Sequence, residues 1–323
     1  MIYYLPLENI EQRYTKMMNL ALKPLVDVYL YPEFNLPEVI EKGEFLDVNK
    51  TSIFKAKQLQ MVAELFYNGE IKDGDHFLVG DIFFPGIEMI KYMSELQGIE
   101  VKISGFNYAG RADKTDFVQQ LGRWADHSER GYHEICENVF VGSLTHLTNI
   151  EKHFNPSCKI IPTGYVWSRD YVRSIFDKQV EKEDFIIFPH RLSSEKGIDE
   201  LIEYANQNPD KKIVVTSSGN KREISLPANI EYVYGLSKAE YYEIMAKAKY
   251  YLSFAYQETF GYTLQEAIHF GCEIAVPNRA CYAEFVPAKC LFEGINVQYH
   301  KVPMSYTDKW DNNAEKIINW IKK

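Results

Sequence analysis

Short apolar runs alternate with amphipathic stretches along most of the chain. In the first half, the apolar runs predict β-strands over 2–5, 26–30, 76–84, 99–104 and 138–142. Two stretches between them, 52–67 and 86–97, carry apolar residues at the three- and four-residue spacing of a helix. Such an alternation is typical of βαβ units, whose strands form a parallel sheet.

The second half repeats this pattern after 164–173, which we interpret as a connector. The predicted strands there are 184–188, 212–216, 230–233, 249–253 and 273–276, and the predicted helices are 197–206, 237–247 and 262–270. The stretch from 308 to the end has isoleucines at helical spacing and predicts a closing helix. The sequence therefore predicts an α/β protein with two doubly wound, Rossmann-like domains: residues 1–167 with a closing helix over 306–323, and residues 168–305.

Length and composition agree with two globular domains. The chain has 323 residues, 46% of them hydrophobic and 25% charged. Its apolar runs stay well below the roughly 20 residues of a membrane span, and Met1–Leu5 predicts a strand instead of a signal peptide. The five cysteines are irregularly spaced, which favours reduced thiols in a cytoplasm, that of the host if a phage encodes the protein. The net charge of −9 argues mildly against an unselective polyanion binder.

A first candidate site lies in 188–197, Phe-Pro-His-Arg-Leu-Ser-Ser-Glu-Lys-Gly, where a predicted strand gives way to a helix. Open α/β sheets bind ligands at this end of their strands, and the backbone N–H groups of a helix N-terminus suit phosphate. Arg191 and Lys196 add two cations that are able to hold a diphosphate and stabilise it as a leaving group. Surface loops often carry such residues, so this segment alone is ambiguous.

A second candidate site lies in 258–267, Glu-Thr-Phe-Gly-Tyr-Thr-Leu-Gln-Glu-Ala, across another strand-to-helix junction. Gly261 lets the backbone approach a phosphate or sugar without a Cβ between them. Glu258 on the loop is suited to accept hydrogen bonds from sugar hydroxyls, and Glu266 on the helix from a ribose diol.

Together, the arrangement Arg-x4-Lys-Gly followed by Glu-x7-Glu resembles the retaining GT-B glycosyltransferases of family 4 across the second half. The resemblance implies a GT-B fold. It also implies transfer of a sugar, with retention of configuration, from a nucleotide diphosphate donor, which we expect to be a UDP-sugar. It implies catalytic roles for Arg191 and Lys196 on the diphosphate and for Glu258 on the transferred sugar. The other implied donor-binding residues are His190, Tyr234, Gly235, Thr259, Phe260, Gly261, Tyr262 and Glu266. The family's Gly-x-Pro-x-Glu region is altered here, with 275–279 reading Ala-Val-Pro-Asn-Arg and Glu284 behind it.

Metal use is a separate question, because many other glycosyltransferases hold a metal ion through an Asp-x-Asp string. Asp73-Gly74-Asp75 has that form, but it precedes a predicted strand and carries glycine where a tight turn needs positive φ. We therefore predict a turn, no metal and no cofactor apart from the sugar nucleotide substrate.

The acceptor side is expected in the first domain, at the ends of its strands. The loop 5–15 replaces the Gly-Gly loop that often follows the first strand in this fold, and it places Arg13 and Tyr14 towards the cleft. The segment 105–114 is aromatic, glycine-bearing and basic, and includes Tyr108 and Arg111. We expect a basic lip formed by Arg111, Lys114, Arg123 and Arg130. Candidates to orient an acceptor hydroxyl are Asp81, Asp113, Asp116 and His127.

The first half, from Tyr3-Tyr4-Leu5-Pro6-Leu7-Glu8 through Asn107-Tyr108-Ala109-Gly110-Arg111, is similar to glycosyltransferases of T-even-type bacteriophages. Those enzymes attach glucose or arabinose to hydroxymethylated cytosine in phage DNA. The similarity implies a duplex DNA acceptor containing 5-hydroxymethylcytosine, with base flipping and salt-dependent binding.

Two alternatives stay open. The first is a cytoplasmic glycosyltransferase of cell-envelope polysaccharide or lipid-linked glycan synthesis, which usually carries a basic, aromatic amphipathic stretch for the membrane surface. The helical stretch 12–25 carries only Arg13, Lys16 and Lys23 as cations. The second is a non-catalytic nucleotide-sugar binding protein, which slow hydrolysis of the donor would distinguish from an enzyme.

Overall fold

The first domain is built on a sheet whose strands are buried on both faces, as the short apolar runs require. The computed structural model describes residues 1–10, 13–33, 47–217, 224–311 and 313–323. The strands of the first domain are β1 (Ile2–Leu5), β2 (Val28–Tyr29), β3 (His76–Val79), β4 (Lys102–Phe106), β5 (Asn138–Phe140) and β6 (Lys159–Ile161). The helices between them are α1 (Tyr14–Leu22), α2 (Val48–Tyr67), α3 (Glu88–Gln97), α4 (Arg123–Ile135) and α5 (Leu144–Phe154).

The second domain repeats this plan around its own sheet. Its strands are β7 (Glu183–Phe188), β8 (Ile213–Ser217), β9 (Ile230–Tyr234), β10 (Ala248–Leu252), β11 (Glu273–Pro277), β12 (Leu291–Phe292) and β13 (His300–Lys301). Its helices, with those that close the chain, are α6 (Arg169–Ile175), α7 (Ile198–Gln207), α8 (Lys238–Lys247), α9 (Tyr262–His269), α10 (Tyr282–Phe285), α11 (Ser305–Asp308) and α12 (Asn313–Ile321).

The strand orders are β2-β1-β3-β4-β5-β6 in the first sheet and β12-β11-β10-β7-β8-β9 in the second. Neighbouring strands run parallel, and β13 pairs antiparallel with β11. Each sheet changes winding direction once, between β1 and β3 and between β7 and β10. The predicted class of two doubly wound α/β domains is confirmed.

Several element boundaries differ from the sequence prediction. The strand predicted over 76–84 ends at Val79, and the last hydrogen bond of its pairing with β1 is the one that Gly80 N donates to Leu5 O at 2.8 Å. The strand predicted over 99–104 is shifted to Lys102–Phe106. The patterns also missed β6, a strand of three residues at the edge of the sheet.

The end of the chain returns to the first domain. Helix α12 packs against α1. Asn313 Nδ2 donates to Thr163 O at 2.6 Å, and Trp320 Nε1 donates to Asn138 Oδ1 at 3.3 Å. One apolar core therefore runs from the inner face of the first sheet through the connector into the second domain.

A carboxylate of the second domain caps a helix of the first. Glu284 accepts hydrogen bonds from Leu144 N at 2.7 Å and Thr145 N at 2.9 Å, and Thr145 Oγ1 donates to it at 2.6 Å. A carboxylate at a helix N-terminus satisfies unpaired N–H groups and interacts favourably with the helix dipole. This contact fixes the angle between the two domains at one edge of the cleft.

Two properties of the described residues bear on the earlier expectations. None of the helices they form combines the length and the apolar character that a membrane span requires. All five cysteines belong to this part of the chain, and each is an unpaired thiol.

We expect Gly197→Ala to destabilise the fold far more than Gly271→Ala. Both glycines have φ of +75°, but a Cβ at Gly197 would lie 2.5 Å from Phe254, whereas one at Gly271 would meet nothing within 4 Å. The left-handed backbone alone costs alanine about 1–2 kcal/mol, and the clash adds about 1–3 kcal/mol at Gly197. Urea unfolding of both variants measures the two costs, and equal losses would contradict the close contact with Phe254.

Candidate active site

The two predicted donor segments meet at the winding reversal of the second sheet. The loop 189–197 follows β7 and the loop 253–261 follows β10, and these neighbouring strands diverge there. Tyr256 N in the second loop donates to Glu195 O in the first at 2.9 Å. The structure therefore brings together segments that lie about sixty residues apart, at the position where open α/β sheets bind ligands.

Lys196 and Glu258 form the centre of this crevice. Lys196 Nζ donates to Gln257 O at 2.9 Å and lies 3.6 Å from Glu258 Oε2, with side chains 14% and 18% exposed. Glu258 Oε1 also accepts from Gly261 N at 3.0 Å and Thr259 N at 3.2 Å. Burial opposes ionisation, but the Lys196 ammonium and these N–H groups outweigh it and hold the pKa of Glu258 below its usual value. Glu258 is therefore a fixed carboxylate at neutral pH.

Arg191 lies at the mouth of the crevice. Its Nη2 donates to Glu195 Oε1 at 3.0 Å, and Ser193 Oγ donates to the same oxygen at 2.6 Å. The side chain of Arg191 is 41% exposed and lines the adjoining cavity, so it is oriented by Glu195 while its outer face remains accessible. Behind it, burial and the nearby Lys196 lower the pKa of His190 to about 3, which leaves that imidazole neutral.

A cavity of about 340 Å³ opens beside these residues between the two domains. The second domain and the connector line it with Tyr171, Pro189, Arg191, Thr216, Ser217, Leu236, Ser237, Lys238, Tyr241, Tyr242, Tyr262, Thr263 and Glu266; the first domain contributes Arg13, Tyr14 and Met17. Of the predicted donor residues, Arg191, Tyr262 and Glu266 therefore lie on the cavity wall. Leu236–Lys238 form the wall beyond β9, next to the predicted Tyr234 and Gly235.

Glu266 is held by three donors that the sequence patterns did not predict. Lys238 Nζ lies 2.7 Å and Tyr242 OH 2.9 Å from its Oε1, and Tyr241 OH lies 2.7 Å from its Oε2. The Lys238–Glu266 ion pair is almost buried, with side chains 11% and 6% exposed. No motif spacing links these residues, because they lie on different helices and meet only when α8 packs against α9.

The loop from Thr259 to Gly261 contacts other parts of the protein and contributes no residue to the wall of the 340 Å³ cavity. The N–H groups of Thr259 and Gly261 are bound to Glu258, and Phe260 is buried against Tyr165 and Trp310. Gly261 has φ of +73°, which allows the sharp turn into α9. The N–H group of Gly261, a residue that the resemblance assigns to donor binding, is therefore engaged with Glu258.

Tyr14 and Tyr262 join the two halves of the cleft. Their rings stack with centroids 4.8 Å apart and planes 4° apart, and Tyr108 packs on the other side of Tyr14 at 4.8 Å. Arg13 and Tyr14 line the large cavity and also a second one in the first domain. Both residues therefore face the cleft, as the sequence predicted.

The second cavity, of about 130 Å³, lies at the ends of β1, β3 and β4. Its charged wall contains the carboxylates Glu8, Asp81 and Asp116 and the cations Arg13 and Lys55. Burial raises the pKa of Asp81 to about 6, against the lowering effect of Lys55, and burial likewise raises the pKa of Asp116 to about 6. Perturbed carboxylates in a cleft are typical of functional sites.

The other acceptor-side candidates lie elsewhere. Arg111 forms a bidentate pair with Asp126, at 3.1 and 3.0 Å, and donates to the carbonyl groups of the turn after Asp116. Asp113 accepts from the N–H and hydroxyl of Thr115, and His127 is exposed on α4.

The expected basic lip is not assembled on either cavity wall. Arg111 is held by Asp126, and Arg130 donates to Phe154 O at 2.6 Å. Lys114 and Arg123 are exposed. Intramolecular partners therefore engage Arg111 and Arg130, two of the four cations expected in that lip.

The Asp-x-Asp string forms a turn. Gly74 has φ of +83°, Asp73 Oδ1 accepts from Glu100 N at 2.8 Å, and Asp75 Oδ2 accepts from Lys72 N at 2.9 Å. Within the described ranges, no group of three or more His, Cys, Asp and Glu side chains is placed to hold a metal ion.

Comparison with known proteins assigns the class of the second domain. Residues 172–289 match the family described as glycosyl transferases group 1. This match covers both donor segments, so these residues form a glycosyltransferase group 1 domain. A search of curated proteins finds no match.

Solved structures share the fold of the whole chain. Sucrose-phosphate synthase from Thermosynechococcus elongatus is 14% identical with a TM-score of 0.62, over 99% of this chain and 94% of that one. WaaG, a glycosyltransferase involved in lipopolysaccharide biosynthesis, is 14% identical with a TM-score of 0.54, over 100% and 95%. TarM is 13% identical with a TM-score of 0.51, over 82% and 55%. These similarities establish the GT-B fold; the resemblance of the first half to phage DNA glycosyltransferases stays a prediction.

We expect Asp81→Asn to stabilise the protein in a pH-dependent way. The pKa of Asp81 is raised from 3.8 to about 6, so the folded state binds this proton more tightly than the unfolded state does. Wild type therefore loses stability as the pH rises from about 4 through about 6, and asparagine removes that loss. The free energy of unfolding should rise by about 1–3 kcal/mol at pH 8 and by little at pH 4.

Urea unfolding at several pH values measures this difference. The charged groups coupled to Asp81 are Glu8, Lys55, Arg13, Asp116 and Glu129, and none of them is replaced in the variant. Asp210→Asn, at a side chain 77% exposed, is the matched control. A stability gain that is the same at pH 4 and pH 8 would contradict the assignment.

Proposed function

We propose that this protein is a retaining, metal-independent glycosyltransferase that moves a sugar of the glucose or arabinose class from a UDP-sugar to a hydroxyl acceptor. The observation that carries the proposal is the Lys196–Glu258 pair at the winding reversal of the second sheet, with Arg191 at its mouth. A nucleotide sugar needs cations for its diphosphate and a fixed carboxylate for its sugar, and this crevice brings Lys196 Nζ and Glu258 Oε2 to 3.6 Å from each other.

The diphosphate is assigned to Arg191 and Lys196. As the bond between the sugar and the phosphate breaks, negative charge develops on the departing diphosphate, and preorganised cations stabilise it without further reorganisation. Lys196 is already oriented by Gln257 O and Glu258, and Arg191 by Glu195. Rate enhancement in this proposal comes from positioning and from these charges, while the acceptor attacks from the same face.

The transferred sugar is assigned to Glu258 and the ribose to Glu266. Two N–H groups and Lys196 hold Glu258 ionised, and this carboxylate retains lone pairs for sugar hydroxyls. At Glu266, Oε1 accepts from two donors and Oε2 from one, so Oε2 is the atom suited to a ribose hydroxyl. Lys238 adds donors on the same wall, which suits a nucleoside with acceptor oxygens.

The acceptor is assigned to the cleft side formed by Arg13, Tyr14 and the second cavity. Duplex DNA containing 5-hydroxymethylcytosine, implied by the resemblance of the first half, remains one hypothesis. The carboxylates on this wall favour the alternative, a glycan hydroxyl, because they repel a phosphate backbone. The five unpaired thiols favour a reducing compartment such as a cytoplasm.

We expect Glu258→Ala to lower turnover by about a hundredfold or more, because removing a preorganised group at the reacting centre typically costs that much. Affinity for UDP should change little, since the assigned UDP contacts are Arg191, Lys196 and Glu266. Release of UDP from UDP-glucose measures turnover, and calorimetry measures UDP binding. Glu203→Ala, at an exposed position of α7, is the matched control. Near-normal turnover in Glu258→Ala would refute the donor site, and UDP binding without any turnover in wild type would favour a non-catalytic binder.

We expect turnover to survive removal of divalent metal ions. In the proposal, Arg191 and Lys196 take the place that a metal ion has in metal-dependent glycosyltransferases. UDP release is measured after dialysis against EDTA and again after adding Mg²⁺ or Mn²⁺. A loss of activity that either ion restores would show that a metal takes part.

A further inference from the structure

The second cavity contains a buried carboxylate without a partner. Glu8 is 4% exposed and lines the 130 Å³ cavity, and its carboxylate has no hydrogen bond or ion pair with any described residue. A carboxylate is able to accept several hydrogen bonds, and no described residue donates one to Glu8. A side chain of this kind, directed into a cavity, indicates that a ligand completes its hydrogen bonds.

The neighbouring groups have hydrogen-bonding capacity to spare. Among the described residues, Lys55 Nζ donates once, to Phe83 O at 3.1 Å, which leaves two of its three N–H donors. Asp81 accepts from Phe83 N at 2.9 Å and Asp116 from Val118 N at 3.0 Å, which leaves lone pairs on both carboxylates. The cavity therefore offers acceptors and donors side by side.

This mixture distinguishes between classes of ligand. A sugar hydroxyl donates one hydrogen bond and accepts others, so a pair of adjacent hydroxyls fits a carboxylate next to an ammonium. A phosphate only accepts, and it would face three carboxylates against two cations here. At about 30 Å³ per water, the cavity holds roughly four waters, which suits part of one sugar ring better than a base with its backbone.

The cavity also lies next to the proposed donor site. Arg13 and Tyr14 line both cavities. The Arg191 guanidinium acts across the cleft on Asp116, where it opposes the effect of burial on the pKa of that carboxyl. A ring held in the second cavity would thus lie close to the diphosphate contact.

We propose that Glu8, Asp81 and Lys55 form the acceptor subsite, and that it takes a neutral sugar residue with adjacent hydroxyls and rejects acceptors that carry phosphate. This inference rests on the proposed function, because it names the acceptor for that donor site. It assigns Glu8 a role in binding the acceptor, with no part in breaking the bond between the sugar and the diphosphate.

The test is transfer of radiolabel from UDP-glucose and UDP-arabinose to three acceptors: neutral mono- and disaccharides, their phosphate esters, and duplex DNA with 5-hydroxymethylcytosine. We expect label on a neutral saccharide, and at least tenfold less on its phosphate ester and on the DNA. Label on the DNA or the phosphate ester at a comparable level, or no label on any neutral saccharide, would overturn the proposal. UDP release by wild type without acceptor tests the donor function separately, so the two failures are distinguishable.

Two variants test the residues themselves. Glu8→Gln and Lys55→Gln should each raise the KM for the neutral saccharide by about tenfold to a hundredfold, because each removes a charge-assisted hydrogen bond. UDP binding by calorimetry reports whether each variant is folded. Glu95→Gln, at a side chain 65% exposed on α3, is the matched control. An unchanged acceptor KM in a folded Glu8→Gln or Lys55→Gln protein would remove that residue from the subsite.

Discussion

The position of the loop after β10 depends on direct contact with the first domain. A Cβ at Gly142 would lie 2.5 Å from Thr259 O, and Thr259 Oγ1 donates to Tyr108 O at 3.0 Å. Phe260 is buried between the domains beside Tyr165. Because Glu258 immediately precedes these residues, its carboxylate is located by both domains at once. A change in the angle between the domains would move the carboxylate that is assigned to the sugar.

The altered segment after β11 forms hydrogen bonds with the loop after β10 and with the first domain. Arg279 Nη2 donates to Phe254 O at 2.6 Å and so holds the first residues of the loop after β10. Asn278 Nδ2 donates to Glu293 Oε1 at 2.9 Å. Glu284 reaches across the cleft to cap α5. These three side chains have protein partners, which agrees with the departure of this segment from the family pattern. The proposed donor site is therefore assigned no contact from Asn278, Arg279 or Glu284.

The sequence predicted the fold, and it placed both candidate donor segments at the ends of strands, because these features follow from local signals. Parallel strands place their following loops at one edge, so Lys196 and Glu258 could be expected to meet. Glu266 was predicted, but Lys238 was not, since their contact depends on how α8 packs on α9. Lys55 was missed for the same reason: it lies within α2 and reaches the cavity only through the packing of that helix. Contacts between side chains that meet only when helices pack leave no regular residue spacing in the sequence.

The two sides of the cleft differ in their charged residues, and the composition of the chain does not reveal this difference. A net charge of −9 describes the whole chain, whereas the crevice of the second domain contains three ion pairs: Arg191–Glu195, Lys196–Glu258 and Lys238–Glu266. The acceptor cavity beside it carries an excess of carboxylates. This excess of carboxylates disfavours a diphosphate in the second cavity, which agrees with the proposed placement of the phosphates on the second domain. The sugar, which is the uncharged end, is the part left to face the acceptor cavity.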